Sequence, residues 1–499
     1  MNRIGGDRLR LLAPAAVVIL TFLVFSGSLA NGFVNWDDPA ALLDNAGWRG
    51  LGWDRLRWML TAFDLGHYQP LSWLTLGIDH AVWGVSAFGI HLTSLLLHCG
   101  CALLVYRIAL RLTGDRAASS AAALLFSLHP LRAESVAWAA QRRDPLSGLF
   151  FLWTMLCWLD GRRRWALVCA LFSLSAKLTG LTLPAVLLLL DVYPLKRLPA
   201  DWRGWLSPAA RPVLLEKLPF AALSAVFLAL NLAAQASVGA LPALADVGWT
   251  ARLGSALYSL AFYLGKTLWP AGLIPLYYGE SASAHVSLAL GGAAAAGLAA
   301  AGLRFPRLRP ALAAAGVFYA VTLIPYLGLV KSGRQLVADR YTYISCLPWA
   351  LLAGAGLTAA ARGRPFRAAA AAALLAALGA AAWRQTGYWR DSTALWRHAL
   401  SVEPYGDTAR PFLAAALITD GRPGEAALYL EEQLAIFPGD DASRRMLQDL
   451  VGEDGLGAAE RAAIHRGLAR EFLERGESDK AAWHRRRAQA LAPDPPPGG

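Results

Sequence analysis

Two adjacent carboxylates, Asp37 and Asp38, close the string Asn31-Gly-Phe-Val-Asn-Trp-Asp-Asp-Pro39. Such a pair can take the proton of an attacking hydroxyl or bind a metal. It can equally be two solvated loop acids, or helix caps ahead of Ala40. Histidines follow at His67 in His67-Tyr-Gln-Pro-Leu-Ser-Trp73, at His91 and His98, and at His129. His91 and His98 are seven residues apart and share one helical face, as a packed, hydrogen-bonded pair would. Cations beside acids or aromatics recur downstream: Arg142-Arg143-Asp144, Lys177, Lys266 and Asp339-Arg340-Tyr341. Cations of this kind suit an anionic group, and a carboxylate beside them suits a proton acceptor.

The elements that must position these residues are membrane helices. Of 499 residues 56% are hydrophobic and only 16% charged, where a soluble domain carries about a quarter charged residues. The apolar residues fall in blocks of about twenty, the length that crosses a bilayer. Eleven spans are expected, near 11–30, 88–111, 117–130, 145–160, 164–177, 179–193, 215–235, 286–303, 310–330, 341–361 and 367–383. The apolar run after Arg3, Arg8 and Arg10 is long enough for an uncleaved first span rather than a signal peptide. Residues 252–279 and 53–63 are expected to lie at the interface or re-enter it.

The net charge of +12 follows from membrane topology. Its basic clusters, Arg107 to Arg116, Arg162 to Arg164, Lys196 to Arg211, Arg304 to Arg309 and Arg362 to Arg367, should face the cytoplasm. No nucleic-acid module is visible, which excludes that partner class. The N-terminus is then inside and the C-terminal region outside. Basic residues should be scarce on the outer side, yet Arg132, Arg142, Arg143, Lys266, Lys331, Arg334 and Arg340 fall there, with Lys177 at an outer turn. Asp37, Asp38, His67 and His129 share that face. Ionisable groups at such depths tend to be functional; scattered interfacial charges touching phospholipid are the plainer reading. The five cysteines, Cys99, Cys101, Cys157, Cys169 and Cys346, have no zinc-ligand spacing and read as small core residues.

Past Ala382 the chain turns polar, so a boundary is expected at 383/384, with residues 1–383 as the membrane domain and 384–499 as a second domain. Gly387 and Pro404 are 17 apart, as are Gly421 and Pro438, and Gly476 and Pro493. The first two glycines are separated by 34 residues, the tetratricopeptide period. Two or three stacked helical hairpins are expected, ending in a proline-rich tail.

Taken in order, Asn35 to Pro39, His67 to Leu71, Phe126 to Trp138, Gln141 to Phe151, Ser175 to Thr179, Tyr263 to Pro270 and Val337 to Tyr343, ahead of the repeats, resemble the transmembrane and tetratricopeptide-repeat O-mannosyltransferase family. The ordered set runs from Asn35 to about Pro438. The resemblance implies an all-α polytopic GT-C glycosyltransferase fold that takes a sugar, mannose by the family, from a polyprenyl-phosphate carrier on the outer side. It implies Asp37 and Asp38 as the acidic motif that orients and deprotonates the acceptor, and it matches Arg143-Asp144, Lys177, and Asp339 to Tyr341 to family positions. His67-Tyr-Gln-Pro-Leu71 is similar to a His-Pro-Pro-Leu element but carries Tyr-Gln in place of the first proline. Leu178 follows Lys177 where relatives often carry Glu or Pro.

The expected chemistry is attack of a hydroxyl on the anomeric carbon with inversion, Asp38 with Asp37 serving as base. Arg143, Lys177, Lys266 and Arg340 would stabilise the departing phosphate. His67, His91, His129, Asp144, Asp339 and Tyr341 complete the candidate site. No cofactor is needed, though the paired aspartates would permit a divalent metal. The acceptor expected is an exported protein, held by the repeats, at a bacterial inner membrane. A flippase of lipid-linked sugars would show inverted repeats, which the sequence lacks; a non-catalytic scaffold would have no use for the acids and cations together.

Overall fold

A computed structural model describes residues 3–239, 248–278, 282–328, 335–451, 457–474 and 478–492. Lys331, Arg334, Gly476 and Pro493 lie outside them. The described residues form helices and no strand. The chain divides into two compact units, Met1–Asp391 and Ser392–Gly499.

Every one of the eleven expected segments falls on helix, but fewer are long and apolar enough to cross a membrane alone. Six are: Leu11–Ala30, Ala87–Thr113, Arg211–Ser237, His285–Arg304, Pro306–Tyr326 and Pro365–Gly387. A seventh candidate is a broken pair, Asp339–Ser345 with Leu347–Ala361, bent by 62°. The other four expected spans are shorter helices: Arg116–Ser127, Arg143–Leu159, Arg163–Ala176 and Leu178–Val192. The segment expected at the interface holds a 20-residue helix, Trp249–Leu268, which is not among the six.

Small residues set the packing. Ser147 and Ser173 exchange hydrogen bonds with each other's carbonyls at 3.0 Å, tying Arg143–Leu159 to Arg163–Ala176. Hydroxyl bonds of this kind serve helix association in lipid. A Cβ on Gly265 would meet the Ser287 carbonyl oxygen at 1.9 Å, and one on Gly291 would meet that of Ala261 at 1.8 Å. The two helices there touch backbone to backbone, an approach that only glycine allows. The apolar core gathers around Trp158, Phe151, Phe126, Tyr106, Leu187 and Tyr343.

The domain boundary lies at Asp391 rather than 383. The last helix of the first unit runs polar past Ala382 and stays packed: Gln385 donates to the Leu273 carbonyl at 2.8 Å, and the Arg390 carbonyl accepts from Gly32 N–H at 2.8 Å. The second unit holds helices Ser392–Val402, Ala409–Thr419, Pro423–Ile436, Asp441–Val451, Ala458–Glu474 and Ser478–Leu491. The first four pack in sequence, as do the last two, with Trp396 stacked on Phe412 at 5.0 Å.

Candidate active site

Asp37 and Asp38 follow the first long helix, and their side chains part. Asp37 lines a cavity of about 450 Å³ together with His67, Gln69, Trp73, Arg142 and Arg143. Asp38 is fully buried and outside that lining. Its two oxygens accept from Val34 N–H at 2.9 Å and Ala140 N–H at 3.0 Å. Asp38 thereby fastens the acidic loop to the segment that carries Arg142 and Arg143. Burial pushes its carboxyl up to about 7, against the pull of those two bonds.

His67 is delivered by a tight turn. Asp64 and His67 exchange backbone bonds at 3.2 and 2.9 Å, and Leu65 and Gly66 between them hold φ of 47° and 73°. A leucine in the left-handed region is uncommon, and here both Leu65 and His67 face the cavity. Burial, and then the charges of Arg143, Lys177 and Arg340, push the imidazole down to about 3. The charges of Arg143, Lys177 and Arg340 all act on His67, which they and burial keep neutral, and of the three Arg143 lines the cavity.

Those cations are not equivalent. Lys177 is ion-paired to Asp144, and Arg340 reaches Glu134 at 2.5 Å. Both stand over aromatic faces: Tyr326 and Tyr341 stack at 4.3 Å, with the Lys177 ammonium 5.6 and 5.8 Å from the rings and the Arg340 guanidinium 5.0 Å from Tyr341. Arg142 is buried, ion-paired to Asp79 and bonded to the Ile90 carbonyl at 2.9 Å. Arg143 lines the cavity and bonds only Gln141, at 3.2 Å; among the described residues it has no carboxylate partner.

Other expected site residues go elsewhere. Lys266 donates to the carbonyls of Ala271 and Gly272 at 2.8 and 3.2 Å, closing the end of its helix rather than facing the cavity. His129 accepts from Leu131 N–H at 3.3 Å and bonds the Thr267 carbonyl at 3.0 Å, which makes it a cap. His91 is buried against the Gly32 carbonyl at 3.4 Å. Asp339 accepts from the Tyr277 hydroxyl at 2.8 Å, and its neighbour Arg340 is held by Glu134. Sequence reasoning missed Glu134, Asp79 and Tyr326. Their signal was weak: an acid inside a loop motif, an acid on a helix beyond the histidine motif, and a tyrosine within an apolar run.

No protein-family profile matches the chain. Among curated proteins, it is 33% identical to the protein O-mannosyl-transferase TMTC2 of Mus musculus over 143 residues, 26% of this chain and 17% of that one. It is 32% identical to Tmtc2 of Drosophila melanogaster over 195 residues, 35% of this chain and 21% of that one. Over that part the chain is similar to the TMTC protein O-mannosyl-transferases. The family likeness read from the motifs is borne out, on a shorter stretch than Asn35 to Pro438, and the chain covers about a fifth of the length of these relatives. Two crystal structures of ArnT from Cupriavidus metallidurans align with 93% of this chain, one apo (TM-score 0.42) and one bound to undecaprenyl phosphate (0.40), each at 17% identity.

Proposed function

We propose that this chain is a membrane glycosyltransferase of GT-C type, moving a sugar from a polyprenyl-phosphate donor to a hydroxyl of an exported protein. The observation that carries the reading is the cavity wall shared by Asp37 and Arg143: a carboxylate and a cation that has no carboxylate partner among the described residues, in a chain similar to protein O-mannosyl-transferases. Asp37 takes the proton of the acceptor hydroxyl. The hydroxyl oxygen bonds to the anomeric carbon as the bond from that carbon to the lipid phosphate oxygen breaks, with inversion. The phosphate leaves as an anion toward Arg143, with Lys177 and Arg340 behind it. Asp38 serves as the positioning acid that holds the Arg142–Arg143 segment against the acidic loop. Lys266 is left out of the phosphate site.

Mannose and the protein acceptor come from the likeness. The topology belongs to the same proposal. The 17-residue helix Arg143–Leu159 extends about 25 Å, close to the roughly 30 Å of hydrocarbon in a bilayer. The other three, Arg116–Ser127, Arg163–Ala176 and Leu178–Val192, extend about 18 to 23 Å and are read as crossing together with the residues that flank them; this reading gives eleven spans, an inner N-terminus and an extracytoplasmic repeat domain at the inner membrane.

Glycoproteomics of exported proteins tests this in a deletion strain restored with wild type, Asp37→Asn or Asp38→Asn at equal membrane abundance. Loss of hexose on deletion, restored by wild type and not by Asp37→Asn, is expected. Full restoration by Asp37→Asn removes it as base, and unchanged glycosylation in the deletion strain removes the protein acceptor.

A further inference from the structure

The far end of helix Arg143–Leu159 carries a second set of charges that the proposed reaction does not use. Asp191 is fully buried and accepts from Trp158 Nε1 at 3.1 Å, from Arg197 at 3.0 Å and from Lys217. Arg197 also reaches Glu216 at 2.6 Å, and Arg163 reaches Glu216 at 3.4 Å. The network pins the end of one helix, the start of the next, the loop after Val192 and the start of Arg211–Ser237 to one another.

Outside this network the same end is basic and apolar at once. Arg162, Arg164, Lys196, Arg203 and Arg211 are exposed, and among the described residues none has a carboxylate partner. The exposed acids nearby are engaged: Asp160 pairs with Arg111 at 3.3 Å, and Asp201 accepts from Arg203 N–H at 3.1 Å. Between the cations stand Trp165 (64% exposed), Trp202 (65%) and Leu206 (80%). The loop bearing Trp202 and Leu206 is held at both ends, by buried Leu198, whose N–H donates to the Asp191 carbonyl at 3.1 Å, and by buried Ala210. Inside the loop, the Trp205 indole donates to the Pro199 carbonyl at 2.8 Å.

We infer that this end of the bundle is a docking surface for anionic phospholipid headgroups, with Trp165, Trp202 and Leu206 entering the leaflet and the five free cations holding phosphates. Charge complementarity chooses the occupant. A solvated basic face has no use for exposed indoles, whereas indoles interleaved with lysine and arginine at the end of an apolar bundle match the headgroup level of a membrane. The inference rests on the membrane-spanning reading and is independent of the chemistry at Asp37.

The test compares full-length wild type with a variant carrying Arg162→Gln, Arg164→Gln, Lys196→Gln, Arg203→Gln and Arg211→Gln. Each is reconstituted in nanodiscs of phosphatidylcholine alone and of phosphatidylcholine mixed with phosphatidylglycerol. Retained lipid is counted by native mass spectrometry, and melting is followed in each. Wild type should retain phosphatidylglycerol several-fold over phosphatidylcholine and melt higher in the mixture. The neutralised variant should lose both effects while melting like wild type in phosphatidylcholine, which shows that it is folded. A second variant, Trp202→Ser with Leu206→Ser, should weaken the retention. Equal retention by wild type and the neutralised variant overturns the proposal. So does a rise in melting that inorganic phosphate reproduces in phosphatidylcholine, which would mark a bare anion site. Nucleic acid captured by wild type without any phosphatidylglycerol preference overturns it as well.

Discussion

Helix Arg143–Leu159 ends in a charge cluster at each terminus, and the two are built to opposite rules. At the Leu159 end every member of the inner network is matched, the unpaired cations lying outside it on the surface: Asp191 is enclosed by Lys217, Arg197 and the Trp158 indole, and Glu216 joins Arg197 to Arg163. At the Arg143 end matching stops one residue short of the cavity. Asp144 neutralises Lys177 and Glu134 neutralises Arg340, while Arg143 faces the space that Asp37 also faces. A buried ion pair broken on one side costs far more than its net contribution, so a fully matched cluster fixes structure. A cluster with one cation left over can accept an anion that comes and goes. Burial alone does not distinguish the two; the presence of a cavity and an unmatched charge does.

Substitutions that separate activity from stability should break this contrast if it is wrong. The largest effect is expected at Asp37→Asn. Transfer should fall by about 10²- to 10⁴-fold, the usual range for a general base, while the thermal melt stays put because Asp37 lines a cavity. A melt that collapses would mean that Asp37 belongs with the structural acids. At the opposite end, Asp191→Ala leaves Lys217 and Arg197 without their shared partner. It should destabilise the protein by about 3–5 kcal/mol, with transfer per folded molecule retained; a stable but inactive variant would erase the distinction between the ends. Arg143→Gln should reduce kcat about 10²- to 10³-fold, as removal of one preorganised anion contact does, with a melt near wild type. A large loss of stability from Arg143→Gln would show that its charge is already matched.

The sequence disclosed the parts of this picture that are local. Long apolar runs announced six of the spans, and the acid pair after the first run announced the loop that reaches the cavity. It could not show that two neighbouring acids diverge, since that depends on Ala140 N–H arriving from 102 residues away. Nor could it match cations to acids: Glu134 and Arg340 are 206 residues apart, and Asp79 and Arg142 are 63 apart. Nor could it show that Lys266 reaches the carbonyls of Ala271 and Gly272, because a lysine at a helix end looks the same in sequence whether it serves a ligand or backbone carbonyls. The domain boundary was misplaced for a related reason. A change to polar composition at Ala382 marks where lipid exposure ends, while packing continues through Gln385, Thr386 and Arg390.

A pH dependence sharpens the split between the two aspartates. Burial raises the Asp38 carboxyl from 3.8 to about 7. Between those values the native protein keeps a proton that the unfolded chain releases. Stability from this group is therefore complete below about pH 4 and is lost as the pH rises toward 7. His67, pushed down from 6.5 to about 3, acts in the opposite sense: the unfolded chain takes up a proton that the native state refuses, so stability falls as the pH drops from 6.5 toward 3. The two slopes oppose each other in wild type, and single substitutions separate them. Asp38→Asn retains an oxygen for one of the two backbone donors and removes the titration, so its melting temperature should gain on wild type as the pH is raised from 4 to 7. His67→Asn should gain on wild type as the pH is lowered through the overlapping range. If the difference between Asp38→Asn and wild type stays flat across that range, Asp38 is ionised in the fold. The roles of base and positioning acid would then have to be exchanged between Asp37 and Asp38.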